Sequence, residues 1–158
     1  MAPKQQRKSA SSKGATVTVR RAKEDDAARI AELCGQLGYP ASTREIRERL
    51  RRLHPWSRHA VLVAVSCQRN VIGWLHVSLT PLLEVKLRAE VNGLVVDEHA
   101  RSCGAGARLL QAAEDWARQR NCRGMSVRSN VIRDRAHSFY LRNGYEYYKT
   151  QKAFRKIL

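Results

Sequence analysis

The stretch that decides the fold is residues 94–118, LVVDEHARSCGAGARLLQAAEDWAR. It opens with an apolar run of strand formers, Leu94–Val96, which predicts a short buried strand. Small residues follow, and apolar residues then recur at the spacing of one helix face: Leu109, Leu110, Ala113, Trp116 and Ala117. The sequence therefore predicts a strand, a turn of small residues and an amphipathic helix.

The turn between strand and helix has the composition of an anion site. It consists of Arg101, Ser102, Cys103, Gly104, Ala105 and Gly106. The two glycines let the backbone approach a ligand without a Cβ in the way. Because the turn opens a helix, unpaired N–H groups and the positive end of the helix dipole point into it, which suits a phosphate. Arg101 could add a charged contact to the same group. The alternative is an ordinary turn with glycines chosen for tight packing.

The composition indicates one small globular domain. The chain has 158 residues, 43% of them hydrophobic, which is enough for one domain with a proper core. Residues 1–15 are basic and polar and are expected to be a disordered tail, which leaves 16–158 as the folded domain. The four cysteines and five histidines form no metal-ligand pattern, so we expect no metal site. We see no membrane-length apolar stretch and no leader, and we expect a cytoplasmic protein.

The net charge of +16 is the unusual global property. It allows three interpretations: an anionic partner such as nucleic acid, a ribosome or an acidic substrate, an arginine-rich composition without a specific role, or a cleft for a cofactor that carries several phosphates. We favour charge bias together with an anionic cofactor over dedicated nucleic-acid binding.

Hydrophobic periodicity and turn signals give the element order β-α-α-β-β-β-α-β-α-β-β. Residues 42–45 form a capping box that opens the second helix. Gly93 interrupts the central strand, Arg88–Val96, and indicates a bulge or a close backbone approach. Residues 145–149 and 153–157 are predicted as two closing strands. This is an α/β arrangement, a mixed sheet flanked by helices.

Two motifs together resemble the GNAT superfamily of N-acetyltransferases. The first is the Arg-x-x-Gly-x-Gly turn after the strand that ends in Leu-Val-Val. The second lies in residues 129–145, SNVIRDRAHSFYLRNGY, which is similar to the family's Asn…Ala-x-x-Phe-Tyr-x-x-x-Gly-Tyr pattern. The similarity extends over residues 17–158. It implies the GNAT fold, with a mixed sheet of six to seven strands and four helices. A narrower likeness points to the branch that acts on small amines, including aminoalkylphosphonates.

The resemblance implies direct transfer of an acetyl group from acetyl-CoA to an amine. It also implies roles for the matching residues. Backbone groups of Leu94, Val95 and Val96 would hold the pantetheine arm, and Asn130 would hydrogen-bond the CoA arm. The turn Arg101–Gly106 would hold the pyrophosphate, and Tyr140 would protonate the departing thiolate. Ser102 and Cys103 depart from the usual motif but keep their backbone N–H groups.

Acetyl transfer to an amine also needs a group that takes up the amine's proton. Glu90 is the carboxylate best placed in sequence, close to Gly93 on the central strand. The alternative is a structural carboxylate paired with an arginine such as Arg88. For Tyr140 the alternative to an acid role is a core aromatic on a helix face.

The sequence thus favours an N-acetyltransferase acting on a small-molecule or peptidyl amine. Two other functions stay open: an acetyltransferase for protein or peptide substrates, and a non-catalytic module that binds acyl-CoA or nucleic acid. The resemblance also allows a homodimer formed through the C-terminal strands.

Overall fold

A computed structural model describes residues 17–55 and 57–158 of the chain. The predicted basic tail, residues 1–15, lies outside this range. Two compact units are present, one reaching to Ser126 and the other comprising Val127–Leu158. The elements are β1 (Thr18–Arg21), α1 (Ala27–Leu37), α2 (Thr43–Leu53), β2 (His59–Val65), β3 (Val71–Thr80), β4 (Arg88–Val96), α3 (Ala105–Arg118), β5 (Met125–Val127) and α4 (Asp134–Arg142).

The five strands form one sheet in the order β1-β2-β3-β4-β5. The first four pair antiparallel with their neighbours. At the start of β4, the Arg123 N–H donates to the Leu87 carbonyl and the Ala89 N–H donates to the Gly124 carbonyl, both at 3.0 Å. These bonds advance along both segments in the same direction, which is the parallel arrangement. The sheet is therefore mixed, as the sequence predicts.

Alternation along the strands gives the sheet two apolar faces. Val63 and Val95 lie on one face and belong to a buried cluster with the α1 and α2 side chains Ile30, Leu33, Ile46 and Leu50. Helix α3 packs on β2, β3 and β4, and its stripe of Leu109, Leu110, Ala113, Trp116 and Ala117 is buried. The first unit is thus a sheet with α1 and α2 on one face and α3 on the other.

The signals at the ends of α1 and α2 are confirmed. The Glu45 N–H donates to Ser42 Oγ at 3.2 Å, and the Ser42 N–H donates back to the Glu45 carboxylate at 2.8 Å. Gly38 ends α1 with φ +91°, a left-handed conformation that glycine adopts without a Cβ clash. These local contacts fix both ends of the connection between the two helices.

The predicted irregularity in β4 is a bulge beside Gly93. Val77 of β3 is opposite Val91, but the next residue, His76, is opposite Gly93, so Asn92 is the extra residue. A Cβ at Gly93 would lie 2.8 Å from the indole ring of Trp74. The close approach of Trp74 therefore requires a glycine at this position, and the bulge bends β4 near its middle.

The predicted closing strands are wrong. Residues 145–158 contain no helix or strand, and large side chains such as Tyr147, Phe154 and Ile157 are exposed. Strand propensity alone does not make a strand, because an isolated segment needs hydrogen bonds to a neighbour. The sheet therefore has five strands in the described part of the chain rather than six or seven, and the four helices are as predicted. Among the same residues, no helix has the length and apolar character to span a membrane.

Candidate active site

The carboxyl half of β4 has an edge that its neighbour does not cover. Strand β4 has nine residues, whereas β5 has three. Since β5 pairs from the start of β4, it is too short to reach Leu94, Val95 and Val96. Val95 points into the core at 7% exposure, while Leu94 and Val96 are half-buried. The backbone amides and carbonyls of these three residues form an edge to which an extended ligand could add hydrogen bonds.

The turn after β4 has the geometry of an anion cradle. Ser102 has φ +68° and Gly104 has φ +82°, so the chain reverses sharply before α3 begins at Ala105. No side chain caps the α3 N-terminus, and the first helical bond is that of the Arg108 N–H to the Gly104 carbonyl. The N–H groups of the first turn of α3 therefore keep their hydrogen-bonding capacity for a ligand. Arg101, Ser102, Cys103 and Gly104 are exposed.

Asp97, which the sequence analysis overlooked, fixes the start of this turn. It is buried at 8% exposure, accepts the His99 N–H at 3.0 Å and pairs with Arg29 of α1. The His99 N–H, with Gln36 and Arg29, outweighs burial and holds the pKa of Asp97 below its usual value. Gln36 also accepts the Glu98 N–H at 3.1 Å. These contacts tie the entrance of the turn to α1.

Replacing Asp97 by Asn should lower stability and weaken acetyl-CoA binding together. The change removes the charge of the nearly buried partner of Arg29 and leaves the exposed Glu32 as its remaining carboxylate, which we expect to reduce the free energy of unfolding by about 1 kcal/mol. Chemical denaturation and calorimetric titration with acetyl-CoA measure the two effects. Unchanged stability and affinity would contradict the anchoring role of Asp97.

Glu90 lies on β4 within a group of polar side chains. It is half-buried and opposite Ser78 of β3. The amide nitrogen of Asn92 at the bulge donates to Ser78 Oγ at 2.8 Å. The structure thus places the predicted base beside the β4 bulge, next to other hydrogen-bonding groups.

A pair of histidines, also missed from sequence, lies along the same part of the sheet. Nδ1 of His59 in β2 and Nε2 of His76 in β3 are 3.0 Å apart, and His76 is opposite Gly93. Burial, with a smaller effect of His59, lowers the pKa of His76 from 6.5 to about 4. His76 is therefore neutral at physiological pH, and a single hydrogen bond joins it to His59.

The low pKa of His76 predicts a loss of stability in mild acid. The unfolded chain takes up a proton at this residue near pH 6.5, whereas the folded chain resists it until about pH 4. Stability is therefore complete above pH 6.5 and falls by up to about 3 kcal/mol as the pH drops to about 4. Denaturation at a series of pH values should show a shallower fall for His76→Gln. An equal fall in His76→Gln and wild type would refute the assignment, and the exposed His99→Gln serves as control.

The other two predicted residues lie in the second unit. Asn130 Oδ1 accepts the Ile132 N–H at 3.2 Å, and its carbonyl is 2.9 Å from His137 Nε2, so Asn130 organises the turn before α4. Tyr140 is half-buried on α4, with its ring centroid 5.3 Å from that of Phe139 and 5.8 Å from that of Tyr145. Burial, partly offset by Arg133, raises the pKa of Tyr140, so its hydroxyl carries a proton at neutral pH.

Comparison with known proteins gives a consistent picture. The model of the acetyltransferase (GNAT) family matches residues 27–145. The uncharacterized N-acetyltransferase YhfO of Bacillus subtilis is 31% identical over 134 residues, which cover 82% of this chain and 90% of the relative. An aminoglycoside N(6')-acetyltransferase type 1 of Klebsiella aerogenes is 31% identical over 102 residues, 63% of this chain and 67% of that protein.

A similar fold is found in the aminoglycoside N-acetyltransferase AAC(6')-Iy, solved in complex with CoA. The two structures superpose with a TM-score of 0.81 at 16% sequence identity, covering 92% of this chain and 97% of the other. At this identity the likeness concerns the fold alone.

Proposed function

The chain belongs to the acetyltransferase (GNAT) family and is an acetyl-CoA-dependent N-acetyltransferase, and from this premise we propose that it acetylates a primary amine by direct attack. The observation that carries the proposal is the succession of three features along the chain: strand β4, a sharp turn and an uncapped α3 N-terminus. This arrangement supplies an extended backbone edge followed at once by a phosphate cradle, the two features that an acyl-CoA requires of its binding site.

The residues present fit the cosubstrate. Backbone groups of Leu94, Val95 and Val96 are proposed to hold the pantetheine arm along the β4 edge. The N–H groups from Ser102 to Gly106 would receive the pyrophosphate, and an added Cβ at Gly104 would meet no heavy atom within 4 Å, so a ligand has room there. Arg101 adds a positive charge, and Asn130 is proposed to bind the CoA arm. When bound, acetyl-CoA supplies the activated acetyl thioester.

Two side chains are proposed to move protons. Glu90, beside the β4 bulge, is assigned as the acceptor of the proton that the amine must lose before it can attack. Tyr140 is assigned as the donor to the leaving thiolate, since its hydroxyl stays protonated at neutral pH.

Amine-dependent release of CoA thiol tests the proposal. The full chain is incubated with acetyl-CoA and one amine from each of several classes: simple amines, polyamines, aminoglycosides, aminophosphonates and peptides. We expect release with one class, and mass spectrometry should show that the amine gains a single acetyl group. Acetyl-CoA binding without acetylation of any amine would contradict the proposed reaction.

A further inference from the structure

Two concave surfaces meet at His59 in the first unit. The smaller, of about 50 Å³, has a lining that includes Lys23, Glu24, Arg51 and His59. The larger, of about 460 Å³, is lined by Pro55, Ser57, Arg58, His59, Leu79 and Pro81. We call the larger one the His59 cleft; its volume is in the range that binds small molecules.

The His59 cleft is connected to the β4 bulge across the sheet. Its wall runs from the start of β2 to the end of β3, where the Leu79 N–H donates to the Arg58 carbonyl at 2.8 Å. His59 of β2 is opposite Ser78 of β3, and Ser78 is opposite Glu90 of β4. Because directly opposite residues point to the same face of a sheet, the cleft at His59 opens on the face that carries the proposed base Glu90.

The charges along these surfaces are almost all positive. Among the described lining residues, Glu24 is the one carboxylate, and Arg51 Nε already donates to it at 2.8 Å. Arg58 forms no ion pair with a carboxylate in the described part of the chain, whereas Lys23 interacts electrostatically with Asp26. A ligand that enters the larger surface therefore meets, at Arg58, a cation whose charge is not neutralised.

Helix α2, which contributes Arg51 to the smaller surface, is also rich in arginine. It carries five arginines, Arg44, Arg47, Arg49, Arg51 and Arg52, and two glutamates. Glu45 is bonded to Ser42 in the capping box and lies 3.6 Å from Arg49, and Glu48 lies 3.8 Å from Arg44. The carboxylates of α2 are thus already engaged, and the surplus charge beside the cleft is cationic.

We propose that the acceptor is a primary amine that also carries an anionic group, a phosphate or a carboxylate, which binds to Arg58 in the His59 cleft. The inference rests on the proposed function and narrows its substrate class. Arg58 and Ser57 both line the cleft, and a guanidinium and a hydroxyl can each donate hydrogen bonds to an anion. Pro55, Leu79 and Pro81 supply apolar walls for the rest of the molecule. A polycationic amine is disfavoured, because the described lining offers its extra ammonium groups mostly cations, and the carboxylate of Glu24 is already bonded to Arg51.

The test compares amines that differ in charge. The probes are ethanolamine, O-phosphoethanolamine, β-alanine and spermidine, assayed for thiol release with the full chain and acetyl-CoA. We expect kcat/KM to be at least about tenfold higher for an anionic amine than for ethanolamine, and spermidine to be poorest. The phosphate and carboxylate probes distinguish the two anions.

Variants of the full chain test whether Arg58 causes the preference for an anionic amine. Arg58→Gln should remove most of the preference for the anionic amine and leave ethanolamine unchanged, while Arg58→Lys should keep part of it. Arg52→Gln removes the same charge from α2 outside the cleft lining and should change little. Equal effects of Arg58→Gln on all amines, or none on any, would overturn the assignment of Arg58.

The outcomes separate the two proposals. Preferred acetylation of spermidine or ethanolamine would refute the anionic acceptor and leave the amine acetyltransferase in place. Acetylation of no amine would contradict the proposed function. Calorimetric titration with O-phosphoethanolamine and with ethanolamine would then test anion binding in the cleft independently of the reaction. Equal affinity of the two compounds for wild type would overturn the inference.

Discussion

Tyr140→Phe should lower kcat about 100-fold while leaving the Kd for acetyl-CoA within a factor of about two, because a general acid contributes mainly to the transition state. The substitution removes one oxygen and keeps the ring that packs against Phe139 and Tyr145. Stability should therefore change little. Steady-state kinetics and calorimetric titration separate the loss of turnover from any loss of binding.

Tyr147→Phe is the matched control, since it deletes a phenolic hydroxyl from an exposed side chain of the same unit. It should retain wild-type kcat. Full activity in Tyr140→Phe would remove Tyr140 from the mechanism. A parallel fall in both variants would indicate damage to the second unit rather than loss of an acid.

Arg101→Glu should weaken acetyl-CoA binding about 10- to 100-fold, with kcat at saturation much less affected. The side chain is exposed at the head of the turn before α3, so reversing its charge should not disturb the core. A negative charge at this position repels the phosphates that the α3 N-terminus is proposed to receive. Calorimetric titration with acetyl-CoA at two salt concentrations measures the effect, which salt should reduce.

Arg52→Glu makes the same change in net charge on an exposed part of α2 and is the control for long-range electrostatics. It should bind acetyl-CoA as wild type does. If both variants lost affinity equally, the overall positive field rather than the turn would hold the cosubstrate. If Arg101→Glu bound normally, Arg101 would have no part in the site.

Features set by neighbouring residues were predictable from sequence. The capping box at Ser42 and Glu45 and the left-handed Gly38 depend on contacts within a few residues, and both are present. Strand β4 was predicted with its observed bounds, and Gly93 indicated the irregularity beside it. The family followed from two motifs at the turn and on α4, where particular residue types are required.

Features that depend on contacts between distant residues were not predictable from the sequence. Asp97 and Arg29 are 68 residues apart, and His59 and His76 are 17 apart, so no local pattern announces either contact. Asp97 did carry one usable signal, because an aspartate directly after a strand is a common helix N-cap. The closing strands failed for the opposite reason: residues 145–158 have a strand-like composition but contain no strand, because composition alone does not determine which segments pair in a sheet.

Calorimetric titration of the full chain with acetyl-CoA tests the central claim most directly. A chain with a pantetheine edge on β4 and a phosphate cradle at α3 should bind one acetyl-CoA, with a Kd in the range of about 1 μM to 1 mM. The same titration with Arg101→Glu should show the weaker binding predicted above. Absence of binding at millimolar acetyl-CoA would contradict the assignment of this site and the function built on it.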